Sequence, residues 1–203
     1  MAIDICKRYN IYMENIINHP KLNYRYSSES NTIFIDIQIN FYREIYNEWD
    51  FSPLINRDLD DDLFEYLESC AAEIPKKYSL CIVFNIPEKL KDNKKEEKNI
   101  IGFQNYFKYQ IRKLRMEQKN NIKNSVLYGF FGILLIFIAY FIRKTSFSIP
   151  FIDVIIEGFF IGGWVLFWEL FSAIFFKQNN MGRRKYILTR LMKSNIVYKY
   201  ISE

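Results

Sequence analysis

Two apolar stretches constrain this chain more than any other feature. Residues 126–142 read VLYGFFGILLIFIAYFI, without a charge, and residues 154–176 carry only Glu157 and Glu169 as charged side chains. A helix needs about 17–25 mainly apolar residues to cross the ~30 Å hydrocarbon core of a bilayer, so both stretches are long enough. The intervening RKTSFSIPFID is too short for a domain, and the pair predicts a transmembrane hairpin with Pro150 in or near its turn. Two buried helices of a soluble bundle would show a polar face, and 126–142 has none. The mean hydropathy of the whole chain, −0.13, excludes a many-span transporter.

Charge is distributed accordingly. Residues 1–124 contain as many acidic as basic side chains, so the net +5 belongs entirely to the apolar half and its flanks. Arg112, Lys113, Arg115, Lys119 and Lys123 precede the first span, and Lys177, Arg183, Arg184, Lys185, Arg190 and Lys193 follow the second. The turn holds only Arg143 and Lys144. By the positive-inside rule both termini are expected in the cytoplasm of a cell with an inner membrane. Anionic headgroups account for the basic flanks, and no nucleic-acid partner is expected. The N-terminal MAIDICKRYN lacks the apolar core of a cleavable signal peptide. Cys6, Cys70 and Cys81 form no CxxC, so neither zinc nor any cofactor is expected.

The remainder predicts an α+β cytoplasmic domain, a small mixed or antiparallel sheet packed on helices, with the two-helix hairpin inserted. Isoleucines 33, 35, 37 and 39 alternate with Phe34, Asp36 and Gln38, the pattern of a strand with one buried face. Leu22, Tyr24 and Tyr26 predict its hairpin partner. Cys6, Tyr9, Met13 and Ile16 predict a first helix stopped at His19-Pro20. Asn56-Arg57-Asp58 opens a second, with the stripe Leu59, Leu63, Leu67, Cys70 and Ile74. Residues 79–86 read as a strand and 89–98 as a solvated loop. From Glu96 the stripe Ile100, Phe103, Phe107, Ile111, Leu114 predicts a helix running into the first span. The tail predicts a short helix at 183–192 and a strand at 195–201, which must join the sheet because a lone strand is unstable. The predicted domains are therefore 1–124, the hairpin 125–176 and a basic tail 177–203.

This order, with a second span reading EGFFIGGWVLFWE and a basic tail ending in a strand, resembles a family of uncharacterised prokaryotic two-span membrane proteins. More loosely, the architecture is similar to that of two-span antiviral membrane effectors. The resemblance implies a topology and no particular activity.

Among candidate chemical groups, Asp58, Asp60, Asp61 and Asp62 read as first-turn capping carboxylates rather than metal ligands. His19 stands alone, and no nucleophile motif accompanies it, so no catalysis is expected. The second span holds the unusual residues. Gly158 and Gly162 form GxxxG on one stripe with Val165 and Glu169, while Glu157, Trp164 and Trp168 form another, and Gly163 lies beside them. Glu169 lies about 12 Å inside the cytoplasmic end, where a charge must be protonated, paired or wetted. Pairing the span ends sets Glu157 beside Arg143 and Glu169 opposite Phe131, within reach of Tyr128. Glu169 then either fastens the hairpin or lines a polar path in a homo-oligomer. The expectation is a non-enzymatic membrane effector or sensor, triggered by a cytoplasmic protein or small molecule. A tether holding a partner at the membrane is the alternative, and an enzyme acting on membrane lipid the third.

Overall fold

The computed structural model describes residues 16–18, 23–144 and 150–201, which form two compact units. One comprises the described residues up to Ile111 together with those from Tyr186 onward; the other is Arg112–Lys185. The first is mixed α+β. Strands β1 (Ile16–Asn18), β2 (Arg25–Ser27), β3 (Thr32–Gln38), β4 (Ser79–Pro87) and β5 (Asn195–Ile201) lie in sequence order. β1–β2 and β2–β3 are antiparallel, whereas β3–β4 and β4–β5 are parallel. The sheet is thus mixed, and the tail strand joins it on β4. Most of the helix expected in the first 18 residues lies outside the described residues, as does His19, but Ile16–Asn18 is strand. The predicted β2–β3 hairpin turns at Asn31, whose φ of 50° suits an asparagine and whose amide donates to the Lys77 carbonyl at 2.7 Å.

The described residues also form four α-helices, α1 (Asp61–Glu73), α2 (Asn93–Lys144), α3 (Pro150–Ser172) and α4 (Gln178–Lys193), with a π-helical segment, Ala173–Lys177, joining the last two. Asp60 caps α1 by accepting from the Leu63 amide at 3.1 Å, and Asp61 and Asp62 occupy its first turn. The helix therefore starts later than Asn56-Arg57-Asp58 suggested. Those residues close a loop in which Asp50 accepts from the Ser52 and Asp58 amides. α2 is unbroken from Asn93, so most of the stretch 89–98 is a 3₁₀ turn and the start of a helix rather than a solvated loop. Pro150 begins α3; a first-turn proline has no N–H to leave unpaired.

The strand expected to bury one face leaves Asp36 and Gln38 exposed on the other, but Phe34 on that second face is buried. Ile33, Ile35, Ile82 and Phe84 pack on one face, where Phe84 meets Phe103 of α2 edge-on at 5.9 Å. Phe64 of α1 then meets Phe107 and Tyr106 of α2. The opposite face buries Phe34, Cys81, Val83 and Val197 together. β3 and β4 are interior strands, flanked by β2 and β5, and β4 is buried on both faces from Leu80 to Phe84.

Arg190 of α4 holds the end of α1. Its guanidinium donates to the carbonyls of Ala71, Ile74, Pro75 and Tyr78, satisfying acceptors that a helix C-terminus leaves open. Desolvation lowers its pKa from the ordinary arginine value. Lysine offers a compact ammonium whose three donors cannot reproduce this planar fork. Arg190→Lys should lower unfolding stability by about 1–2 kcal/mol and Arg190→Ala by about 2–3 kcal/mol, read by denaturant titration of the full chain. Deleting 195–203 removes the partner of β4 and should abolish the cooperative transition of the sheet unit.

Candidate functional site

In the helical unit, α2 and α3 are long and apolar enough to cross a membrane. They pack through a different glycine pair from the GxxxG one. A Cβ on Gly132 would meet the Gly163 carbonyl oxygen at 2.7 Å, and one on Gly163 would meet the Gly132 oxygen at 2.8 Å and Ile136 at 2.6 Å. Only glycine permits this approach. Gly129 instead faces the side chain of Leu170, and both contacts keep the antiparallel register drawn from the span ends. Gly158, by contrast, has nothing within 4 Å of a Cβ position, and Gly162 has only the Leu135 tip at 3.9 Å. The GxxxG face is open within one chain, and Val165 on that stripe is 64% exposed.

Glu169 pairs with Lys177 and not with Tyr128. Eight residues of ideal α-helix would leave the two about 80° out of line, at 100° per residue. Between them, however, Ala173–Lys177 is π-helical. A π turn closes its hydrogen bond one residue later and so rotates less per residue, which swings Lys177 back over Glu169. Both side chains stay partly exposed, at 39% and 49%. At the other end Arg143 and Glu157 line one cavity, together with Asp153 and Trp164.

The sheet unit holds a polar cluster that sequence reasoning missed. Tyr42 donates to Glu96 at 2.7 Å and Tyr200 donates to the same carboxylate at 3.1 Å. Asn99 accepts from Tyr46 at 2.7 Å and donates to Tyr198 at 3.2 Å. Glu96 and Asn99 are nearly buried, on the first turns of α2. Tyr42 follows the carboxyl end of β3, while Tyr198 and Tyr200 stand toward that of β5. The cluster therefore binds the start of α2 to the ends of two strands. The legible signal was a carboxylate and an amide at i, i+3 on the stripe that continues through Phe103 and Phe107, facing tyrosines that alternate in β5.

Burial raises the Tyr42, Tyr46 and Tyr198 hydroxyls above the ordinary phenol value and pushes Tyr106 and the Cys81 thiol up to about 12. All stay neutral at physiological pH, so the tyrosines serve as hydrogen-bond partners rather than as bases. Among the described residues no group of three or more His, Cys, Asp or Glu could hold a metal ion. Comparison with protein families, with characterised proteins and with solved structures finds no match to this chain.

Because these groups have raised pKa values in the folded state, their stabilisation is complete below the unfolded values, about 8.5 for thiol and about 10 for phenol. It is lost as pH rises through them towards the folded values. The melting temperature of the sheet unit should hold level from pH 7 to about 8.5 and then fall, with Tyr198→Phe reducing the fall. In the hairpin, Gly163→Leu should cost at least about 1–3 kcal/mol through overpacking, whereas Gly158→Leu should leave the stability of a single chain unchanged. Thermal unfolding in detergent distinguishes the two.

Proposed function

We propose that the chain is an integral membrane effector or sensor without enzymatic activity, in which a cytoplasmic event at the sheet unit alters the packing of oligomerised hairpins. The observation that carries this reading is the insertion of the helical unit between β4 and β5, parallel neighbours in one sheet. Both ends of the hairpin belong to one folded unit, so a membrane crossed by α2 must be crossed back by α3. The eleven basic residues flanking those ends, against two at the turn, support the proposed orientation, with that unit on the cytoplasmic side of a cell's inner membrane.

Helix α2 begins in the tyrosine–Glu96 cluster and continues without a break into the first apolar stretch, which gives a cytoplasmic trigger, protein or small molecule, a covalent route to the hairpin. The open Gly158–Gly162 face supports association of hairpins into a homo-oligomer, since small residues favour close helix contact in lipid. Glu169, paired with Lys177 at one end of α3, lies on the same stripe and would line a polar path there.

The mutants divide effector from tether. Glu169→Gln should assemble normally and lose ion permeability or toxicity on overexpression, because the amide keeps the size but not the charge. Gly162→Leu, which the hairpin itself has room for, should abolish oligomers. If both variants retain wild-type oligomer size and toxicity, the hairpin only anchors the chain and the tether reading replaces the effector. For orientation, Lys144→Cys should react with an impermeant thiol reagent in intact cells and Ser28→Cys should not; the reverse pattern overturns the assignment.

A further inference from the structure

The cavity at the turn end of the hairpin, about 470 Å³, is lined by Arg143 of α2 and by Asp153, Ile156, Glu157, Phe160, Ile161 and Trp164 of α3. The α3 residues recur at steps of three and four, so they form one stripe facing Arg143. The stripe is graded. Asp153 lies at the edge of the apolar stretch, Glu157 about 6 Å further along the axis and Trp164 about 16 Å further, at ~1.5 Å per residue. The three charges stand at the outer end and the apolar and aromatic walls at the inner end. Such a gradient fits an amphiphile lying parallel to the helix, headgroup outward.

The signs of the charges narrow the choice. One guanidinium faces two carboxylates, so the lining is net negative and disfavours a purely anionic headgroup. A zwitterion fits better: a phosphate can take the planar fork of Arg143, and a cationic group can pair with Glu157 and Asp153. A primary ammonium brings three N–H donors to the two carboxylates, whereas a quaternary ammonium brings none and meets them through charge alone. Glu157 also gains most from an ammonium donor, because an unpaired carboxylate is costly inside the hydrocarbon edge.

Resting on the membrane reading above, we propose that this cavity binds a phosphoethanolamine headgroup, supplied by a phospholipid whose acyl chain lies along Phe160, Ile161 and Trp164. The site is separate from the Gly158–Gly162 face and from the Glu169–Lys177 pair.

The test uses the full chain purified in detergent, offered equal mole fractions of phosphatidylethanolamine, phosphatidylcholine and phosphatidylglycerol, with retained lipid counted by native mass spectrometry. Phosphatidylethanolamine should be retained at least tenfold over the other two. Glu157→Gln should bring its ratio to phosphatidylcholine near one, Arg143→Gln should lower retention of both, and Lys144→Gln, adjacent but outside the cavity, should change nothing. Equal retention of all three lipids by the wild type, preference for phosphatidylglycerol, or an equal loss in Lys144→Gln would overturn the site. Soluble O-phosphoethanolamine serves as the second arm. Competition by it as strong as that of a short-chain phosphatidylethanolamine would overturn the lipid as source, because the apolar wall would then contribute nothing. Recovery of the chain in the soluble fraction of cells would instead reject the membrane reading, and the O-phosphoethanolamine titration would still decide whether the headgroup binds.

Discussion

Parallel pairing of β4 with β5 is the contact on which the rest of the architecture depends. The two strands are neighbours in the sheet yet are separated in sequence by roughly 100 residues that include the whole hairpin. A parallel neighbour cannot be reached by a tight turn; it needs a crossover, and here α2, α3 and α4 form that connection. The sheet is completed only when the last strand returns. Until then Ile82, Phe84 and Ile86 lack the Ile196–Tyr200 segment beside them. Closing so long a loop makes this a slow kind of contact to form.

Return of the chain brings α4 with it, and α4 does more than connect. Arg190 engages the carbonyls at the end of α1, and Leu188 and Leu191 are buried in the same unit. Tyr198 and Tyr200 arrive on β5 as the partners of Asn99 and Glu96. The polar cluster at the start of α2 is thus assembled from three separate parts of the sequence, the turn after β3, the first turns of α2 and the final strand. Its buried carboxylate accepts hydrogen bonds from two phenols, Tyr42 and Tyr200.

The hairpin follows a different economy, in which close approach takes the place of apolar burial. Gly132 and Gly163 bring backbone against backbone, and the larger side chains point outward, where lipid would meet them in the proposed setting. One glycine pair is consumed by this contact and another, Gly158 and Gly162, is left open. The π segment Ala173–Lys177 changes the phase of the helix just where Glu169 needs a cation, so an irregularity of the backbone serves an electrostatic end.

How much could be read without coordinates depends on the range of the interaction. The apolar stretches, the Ile33–Ile39 alternation, the stripe of α2 and the tail strand are legible because length and periodicity are local properties of the chain. The hairpin register is legible because two helices joined by a short turn have little freedom to slide. Which glycine touches which depends on helix rotation, and a GxxxG spacing does not reveal it. Glu169 is visible as a charge that needs a partner, but the partner is chosen by a π turn that no spacing rule announces. The tyrosine–Glu96 cluster is hidden for a further reason: its residues lie far apart in sequence and look like solvated polar positions until the parallel sheet brings their ends together. The central strands, the long helix and the two apolar segments follow from local pattern, since burial of apolar surface is written in composition and period, whereas the strand at Ile16–Asn18 and the helical start at Asn93 do not. Only the tertiary structure decided the polar contacts, because a hydrogen bond depends on placement to within an ångström, which is fixed by packing from several distant segments at once.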